Sequence, residues 1–185
     1  MPTRAPFISI EGPDEQICKL LIYKLDQKLT KPSKSLVLYE RLTAIGDIIA
    51  RNRWGLLQLE DIVRHHLRIA NLWEFQHDIR KFLKTKEIVT TYRYVHSNQI
   101  KTLVKGTLDI HVCRQLEVGL LKPDLQIILQ PENYKNPYVD QIIALDPDIS
   151  IIEYHTNSAN QNVEEVLTLI NSLPEKDFNE FLYYS

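Results

Sequence analysis

The segment Phe-Ile-Ser-Ile-Glu-Gly-Pro-Asp-Glu-Gln-Ile-Cys-Lys-Leu, residues 7–20, reads as a strand entering a helix, with Gly12 at the turn. A helix N-terminus offers unpaired backbone N–H groups to an anion, and a phosphate-gripping P-loop sits at such a turn. A working P-loop has the form GxxxxGK[ST]: its second glycine lets the loop wrap the phosphates, its lysine reaches the β and γ phosphates, and its hydroxyl holds Mg²⁺. Here the matching positions are Ile17, Cys18 and Lys19, so Gly12 and Asp14 fit while the lysine stands one place late. One residue along a helix turns a side chain by about 100°, which makes Lys19 a poor substitute. Cys18 at a helix start would have the position of an activated thiol, but no base lies near it in sequence, and a small side chain filling a vacated loop is the simpler reading. His65–His66 with His77 lacks the i, i+4 spacing of a metal pair, and His111-Val112-Cys113 offers too few ligands for zinc. No metal site is expected.

Such groups need a scaffold. Short β-branched runs at Phe7–Ile10, Ser35–Tyr39, Glu87–Thr91, Asp124–Gln130 and Ile149–Tyr154 alternate with helical stretches at Gln16–Leu29, Glu60–Lys84, Ser97–Glu117 and Val163–Leu173. That alternation predicts an α/β fold with a five-stranded parallel sheet flanked by helices in three layers. Val163, Val166, Leu167 and Ile170 fall at i, i+3, i+4, i+7 and should pack on the sheet. Pro131 to Pro147, dense in Pro, Asn and Asp, predicts an irregular connection. No repeat or composition shift divides the chain, and one domain over residues 1–185 is expected.

Composition narrows the function classes. With 44% hydrophobic residues and a net charge of −2, the chain is neither disordered nor uniformly basic like a general nucleic-acid coat. Two cysteines cannot form a disulfide framework, and no apolar run approaches 18 residues, which predicts a reducing intracellular, cytoplasmic setting and no membrane span. Charge is polarised: residues 1–114 hold 19 basic and 12 acidic residues, residues 115–185 hold 3 and 12. Arg51, Arg53, Arg64, Arg68, Arg80, Lys81, Lys84 and Lys86 form a basic helical region, read as a solvated face or as a surface for an acidic partner or nucleic acid.

Four further segments occur in an order that carries a family resemblance. Tyr39-Glu40-Arg41-Leu42-Thr43-Ala44-Ile45-Gly46 resembles the PERSTxIG loop of thymidylate kinases, and Ile69-Ala70-Asn71-Leu72-Trp73-Glu74 resembles their SANRWE segment. Tyr92-Arg93-Tyr94-Val95-His96-Ser97 resembles DRYxxS, and Gly119-Leu120-Leu121-Lys122-Pro123-Asp124-Leu125 resembles GLPKPDL. Over nearly its whole length the chain is similar to the thymidylate kinase family in its eukaryotic and viral branch. The resemblance implies a P-loop kinase fold, ATP with Mg²⁺ at the first turn, and thymidine monophosphate (dTMP) in the facing cleft. It also implies that Gly12, Asp14, Lys19, Arg41, Arg68, Arg93, Tyr94 and Ser97 lie where the family holds nucleotide and phosphate.

The departures bear on catalysis. Phosphoryl transfer depends on positioning and charge neutralisation, yet the family's P-loop lysine is matched by Cys18, the arginine of SANRWE by Leu72 and the Asp of DRY by Tyr92. The aromatic that stacks on thymine is matched by Arg68, and an arginine can also stack on a base. No arginine follows Arg114, so lid arginines have no counterpart, and 131–147 is short for a lid. Losing one positioned donor typically costs about 10²- to 10³-fold in rate. The expected function is therefore a thymidylate-kinase-like binding or scaffold module without phosphoryl transfer, and no residue is assigned a catalytic role. One alternative is an active nucleoside monophosphate kinase making the diphosphate through Lys19, the only reading that calls for ATP and Mg²⁺. Another is a nucleic-acid-associated subunit. By resemblance a homodimer is expected, with the apolar helical face around Ile62 to Phe82 as its surface or as that of another protein partner.

Overall fold

The computed structural model describes residues 3–37, 43–133, 135–154, 159–174 and 176–177. In chain order they form β1 (Thr3–Arg4), β2 (Phe7–Glu11), α1 (Glu15–Lys28), β3 (Ser33–Val37), α2 (Ala44–Arg53), α3 (Asp61–Lys84) and β4 (Ile88–Tyr92). These are followed by α4 (Val95–Val104), α5 (Ile110–Glu117), β5 (Leu125–Pro131), α6 (Pro137–Leu145), β6 (Ser150–Tyr154), α7 (Ala159–Ser172) and β7 (Lys176–Asp177). Five strands make one parallel sheet in the order β3-β4-β2-β5-β6, with Ile8 opposite Thr90 and Leu125, and Ile10 opposite Tyr92 and Ile127. The expected α/β fold with a five-stranded parallel sheet is the one found.

Strand alternation sends successive side chains to opposite faces, and both faces here are apolar because both are covered. Ile8, Ile10, Ile127, Leu129 and Ile152 pack against Cys18, Leu21 and Leu25 of α1 and Val163, Val166 and Ile170 of α7. On the other face Phe7, Leu36 and Val89 meet Ile69, Leu72, Phe75 and Ile79 of α3, while Ile128 meets Val139 and Ile142 of α6. Because β2 is central and the chain leaves it first toward β3 and later toward β5, a crevice is expected at the carboxyl ends of the strands.

Two expected elements differ. The single helix over Ser97–Glu117 is two, α4 and α5, because Gly106 adopts φ 64° and Asp109 then caps a new helix by accepting from the Val112 N–H at 3.0 Å. The irregular connection at 131–147 contains α6: Asn136 accepts from the Tyr138 N–H at 3.0 Å and Pro137 takes the first helical turn, so residues that read as breakers are start signals. Helix α2, capped by Thr43 through the Gly46 N–H, is absent from the sequence expectation. At the amino ends of the strands β1 pairs antiparallel with β7. None of the helices among the described residues is long and apolar enough to cross a membrane.

Candidate functional site

The turn after β2 is tight. Gly12 is required there because a Cβ would lie 2.6 Å from the Leu129 carbonyl oxygen and 3.0 Å from Cys18 Sγ. Gly12→Ala is expected to cost about 1–3 kcal/mol through backbone displacement, read from urea unfolding. Helix α1 already begins at Glu15, three residues before the position that matches the P-loop lysine. Asp14 caps it, its Oδ1 accepting from the Gln16 and Ile17 N–H groups at 2.9 and 3.1 Å. Those are donors that an anion at this helix end would use. Asp14→Ala is expected to destabilise by about 1 kcal/mol, the usual value of a side-chain cap, and a denaturant midpoint series reads it.

Cys18 is buried, and its thiol is pushed up to about 12 by desolvation and by the nearby Asp14 carboxylate, so it is no nucleophile at neutral pH. Lys19 lies one residue further round α1 and pairs with Glu15 at 3.0 Å. Glu15 also receives Arg53 at 3.0 Å and Arg93 at 3.2 Å. Burial works against the Glu15 charge, but the hydrogen bond from Lys19 and the charges of Arg93 and Arg53 outweigh it, holding the carboxyl below its ordinary value. One carboxylate thus joins three cations from three elements.

Beside this junction lies a cavity of about 250 Å³ lined by Arg53, Arg64, Arg68, Arg93 and Lys101 with apolar side chains of α2 and α3. Its lining has five cationic residues and no acidic one. Arg93 sits at φ 62°, rare for a side-chain-bearing residue, with its N–H donating to the Ile10 carbonyl and its guanidinium 4.9 Å from the Tyr92 ring centroid. Such backbone conformations persist where surrounding structure holds them, often at binding sites. A larger cavity, about 770 Å³, opens at the amino ends of the strands near Lys31, Lys86 and Pro174. The smaller one is the candidate site because it lies at the carboxyl edge, where open parallel sheets take their ligands.

Of the residues singled out in the sequence, the structure brings Arg68 and Arg93 together at the cavity and links Lys19 to Arg93 through Glu15. Gly12 and Asp14 form the adjoining turn, and Arg41 lies outside the described residues. Tyr94 is fully buried, its hydroxyl donating to the Leu121 carbonyl at 2.8 Å and contacting Gln76 Nε2 at 3.0 Å, the surroundings of a packed core residue. Ser97 donates its backbone N–H to Glu11. Arg53 and Arg64, read from sequence as part of a solvated basic face, also line the cavity, Arg53 with its side chain still 52% exposed. Lys101 and Glu15 escaped the sequence reading; the available signal for Lys101 was its place four residues after Ser97 on one helix.

Beneath α4 runs a buried charge chain. His96 Nδ1 lies 3.4 Å from Glu11 and its Nε2 3.6 Å from Asp146, which also takes Lys122 at 3.0 Å. Burial works against the imidazolium, but Asp146 and Glu11 on either side outweigh it and raise His96 above its ordinary value. Glu117, buried against Gln99 at 2.6 Å, is pushed up to about 8 by desolvation and stays protonated at neutral pH. This chain fixes the start of α4, and with it the helix that carries Lys101.

The residues do not fit ATP with Mg²⁺ in the usual arrangement. The position of the metal-holding hydroxyl is Lys19, already paired with Glu15, and the position of the DRY carboxylate is Tyr92. No group of three or more His, Cys, Asp or Glu with metal-holding geometry occurs among the described residues.

Strand order and flanking helices together define an α/β protein of the P-loop kinase fold. A solved thymidylate kinase from Candida albicans superposes with a TM-score of 0.82 at 23% identity, over 98% of this chain and 99% of that one. In sequence the chain is 34% identical over 133 residues to a putative thymidylate kinase, 251L, of Invertebrate iridescent virus 6, and 33% identical over 136 residues to a thymidylate kinase of Arabidopsis thaliana. Each match covers 70% of this chain, but only 62% and 51% of those relatives' own length. No protein-family profile matches. The chain is a divergent relative of the thymidylate kinases.

Proposed function

We propose that this chain is a thymidylate-kinase-like binding module, one domain over residues 1–185, that holds a nucleotide or related phosphate compound at its cationic cavity and does not transfer a phosphoryl group. The observation that carries this reading is the turn after β2: α1 starts at Glu15, Asp14 takes the Gln16 and Ile17 N–H groups, and Cys18 is buried where the reaching lysine would stand. Retention of Arg93, and an arginine at position 68 that can stack on a base, both on the cavity lining, support binding on the acceptor side. Incubation of the purified chain with ATP, Mg²⁺ and dTMP is expected to yield no thymidine diphosphate above a no-enzyme control. Turnover within the ordinary kinase range of about 1–100 s⁻¹, lost in Lys19→Ala, would establish the active-kinase alternative.

A pairing surface has its own support. Ile62, Val63 and Trp73 remain 42–44% exposed on α3, large apolar side chains left outside the core clusters. We assign this surface to a second copy of the chain. Sedimentation equilibrium is expected to give a dimer mass that Trp73→Glu reduces to the monomer; a monomeric wild-type chain would remove the assignment.

A further inference from the structure

We propose that the cavity between α2, α3 and α4 takes a compact polyanion of the diphosphate type, with Lys101 meeting a second anionic group beyond the one that Arg93 and Arg68 hold. A single monoester phosphate does not require so many cations. Arg53, Arg64, Arg68, Arg93 and Lys101 converge from two helices, a turn and α4, while the carboxylates beside them are already engaged, Glu15 by Lys19, Arg53 and Arg93, and Asp61 by Arg64 and Lys105. Lys101 is half-buried and makes no hydrogen bond or ion pair among the described residues. Neighbouring charges elsewhere on its surroundings are satisfied: Lys105 and Arg64 pair with Asp61, and His65, held to Thr102 at 2.7 Å, is neutral because burial and then the nearby His66 and Arg68 lower it to about 4.

An unpartnered ammonium facing arginines in a confined space is a cost that an anion removes. Desolvation, then Arg93, Arg68 and Arg53, lower the lysine to about 7, with Glu15 acting in the other direction. The cavity is small, about 250 Å³, below the size that encloses a typical drug-sized ligand, so its charge is concentrated on a small volume. Arginine forks grip phosphate oxygens bidentately while a lysine acts as a point charge. With Arg64 held by Asp61 and Arg53 by Glu15, the forks of Arg68 and Arg93 and the point charge of Lys101 suit a ligand whose two phosphoryl groups lie side by side.

This goes beyond nucleotide binding, and calorimetry separates the two. Sodium diphosphate, sodium orthophosphate and dTMP are titrated separately into the full chain at pH 7.5, each in two buffers of different ionisation enthalpy. Diphosphate is expected to bind at least about tenfold more tightly than orthophosphate and to draw on the order of one proton from buffer, as Lys101 becomes charged. Lys101→Met is expected to lower diphosphate affinity about tenfold and abolish the uptake, while Lys101→Arg retains the affinity and still shows no uptake. Equal affinity for the two anions, no diphosphate binding, or unchanged uptake in Lys101→Met would overturn the proposal. Binding of dTMP without diphosphate keeps the nucleotide reading and rejects this one; diphosphate without dTMP does the reverse.

Discussion

Asp124→Ala is expected to destabilise the chain by about 3–5 kcal/mol, because it removes the counter-charge of the buried Arg4 guanidinium. Both Arg4 and Asp124 have side chains under 10% exposed, and the guanidinium binds the carboxylate in a fork at 2.5 and 2.7 Å. Asp124 also accepts from the Phe7 N–H at 2.8 Å and pairs with Lys176 at 2.9 Å, so it ties β1, the start of β2 and β7 to the entry of β5. Burial disfavours its charge, but the hydrogen bonds from Arg4, the Phe7 N–H and Lys176 prevail and keep its pKa low. Alanine leaves Arg4 charged in a nearly dry site and orphans a backbone donor. Urea unfolding followed by circular dichroism measures the loss; a change under 1 kcal/mol would mean that this cluster is solvated in solution.

His96→Gln is the second large effect, on the order of 3 kcal/mol at pH 6, since it withdraws the cation between the buried carboxylates Glu11 and Asp146. The pH dependence fixes the sign. The folded-state pKa of His96 is raised from 6.5 to about 9, so its stabilisation is complete below about 6.5 and is lost as pH rises through about 9. Glu117, raised to about 8, loses stability in the same direction, whereas Lys101, lowered to about 7, gains it above that pH. The Lys101 contribution cancels between wild type and His96→Gln, and making both in a Glu117→Gln background removes the Glu117 contribution, whose pKa the His96 charge also lowers. The gap between their unfolding free energies should narrow steadily from pH 6.5 to 9, and a constant gap would show that His96 carries no charge in the fold.

Much of the fold was legible because the strands announce themselves: Phe7–Ile10 and Asp124–Gln130 are β-branched runs whose neighbours are helical. The break at Gly106 and helix α6 were not, since glycine, proline and asparagine serve both as terminators and as caps, and only tertiary packing decides between the roles. The site divides in the same way. Arg93 and Arg68 could be found from the order of motifs, because those motifs keep functional side chains next to packing ones. Lys101, Arg53 and Arg64 could not, as cations on long helices resemble solvated faces until the helices cross and turn them onto a common cavity. Glu11, His96 and Asp146 are separated by 85 and 50 residues in the chain and meet only through the sheet.

The claim on which the functional reading rests is that the helix end after β2 has been closed to a nucleoside triphosphate by its own Asp14. Thermal unfolding of the full chain in the presence of ATP with Mg²⁺ reads this most directly, because a ligand confined to the native state raises the midpoint by mass action. The expected result is an unchanged midpoint at millimolar MgATP. A rise of several degrees, with protection of residues 12–19 from hydrogen exchange, would contradict it.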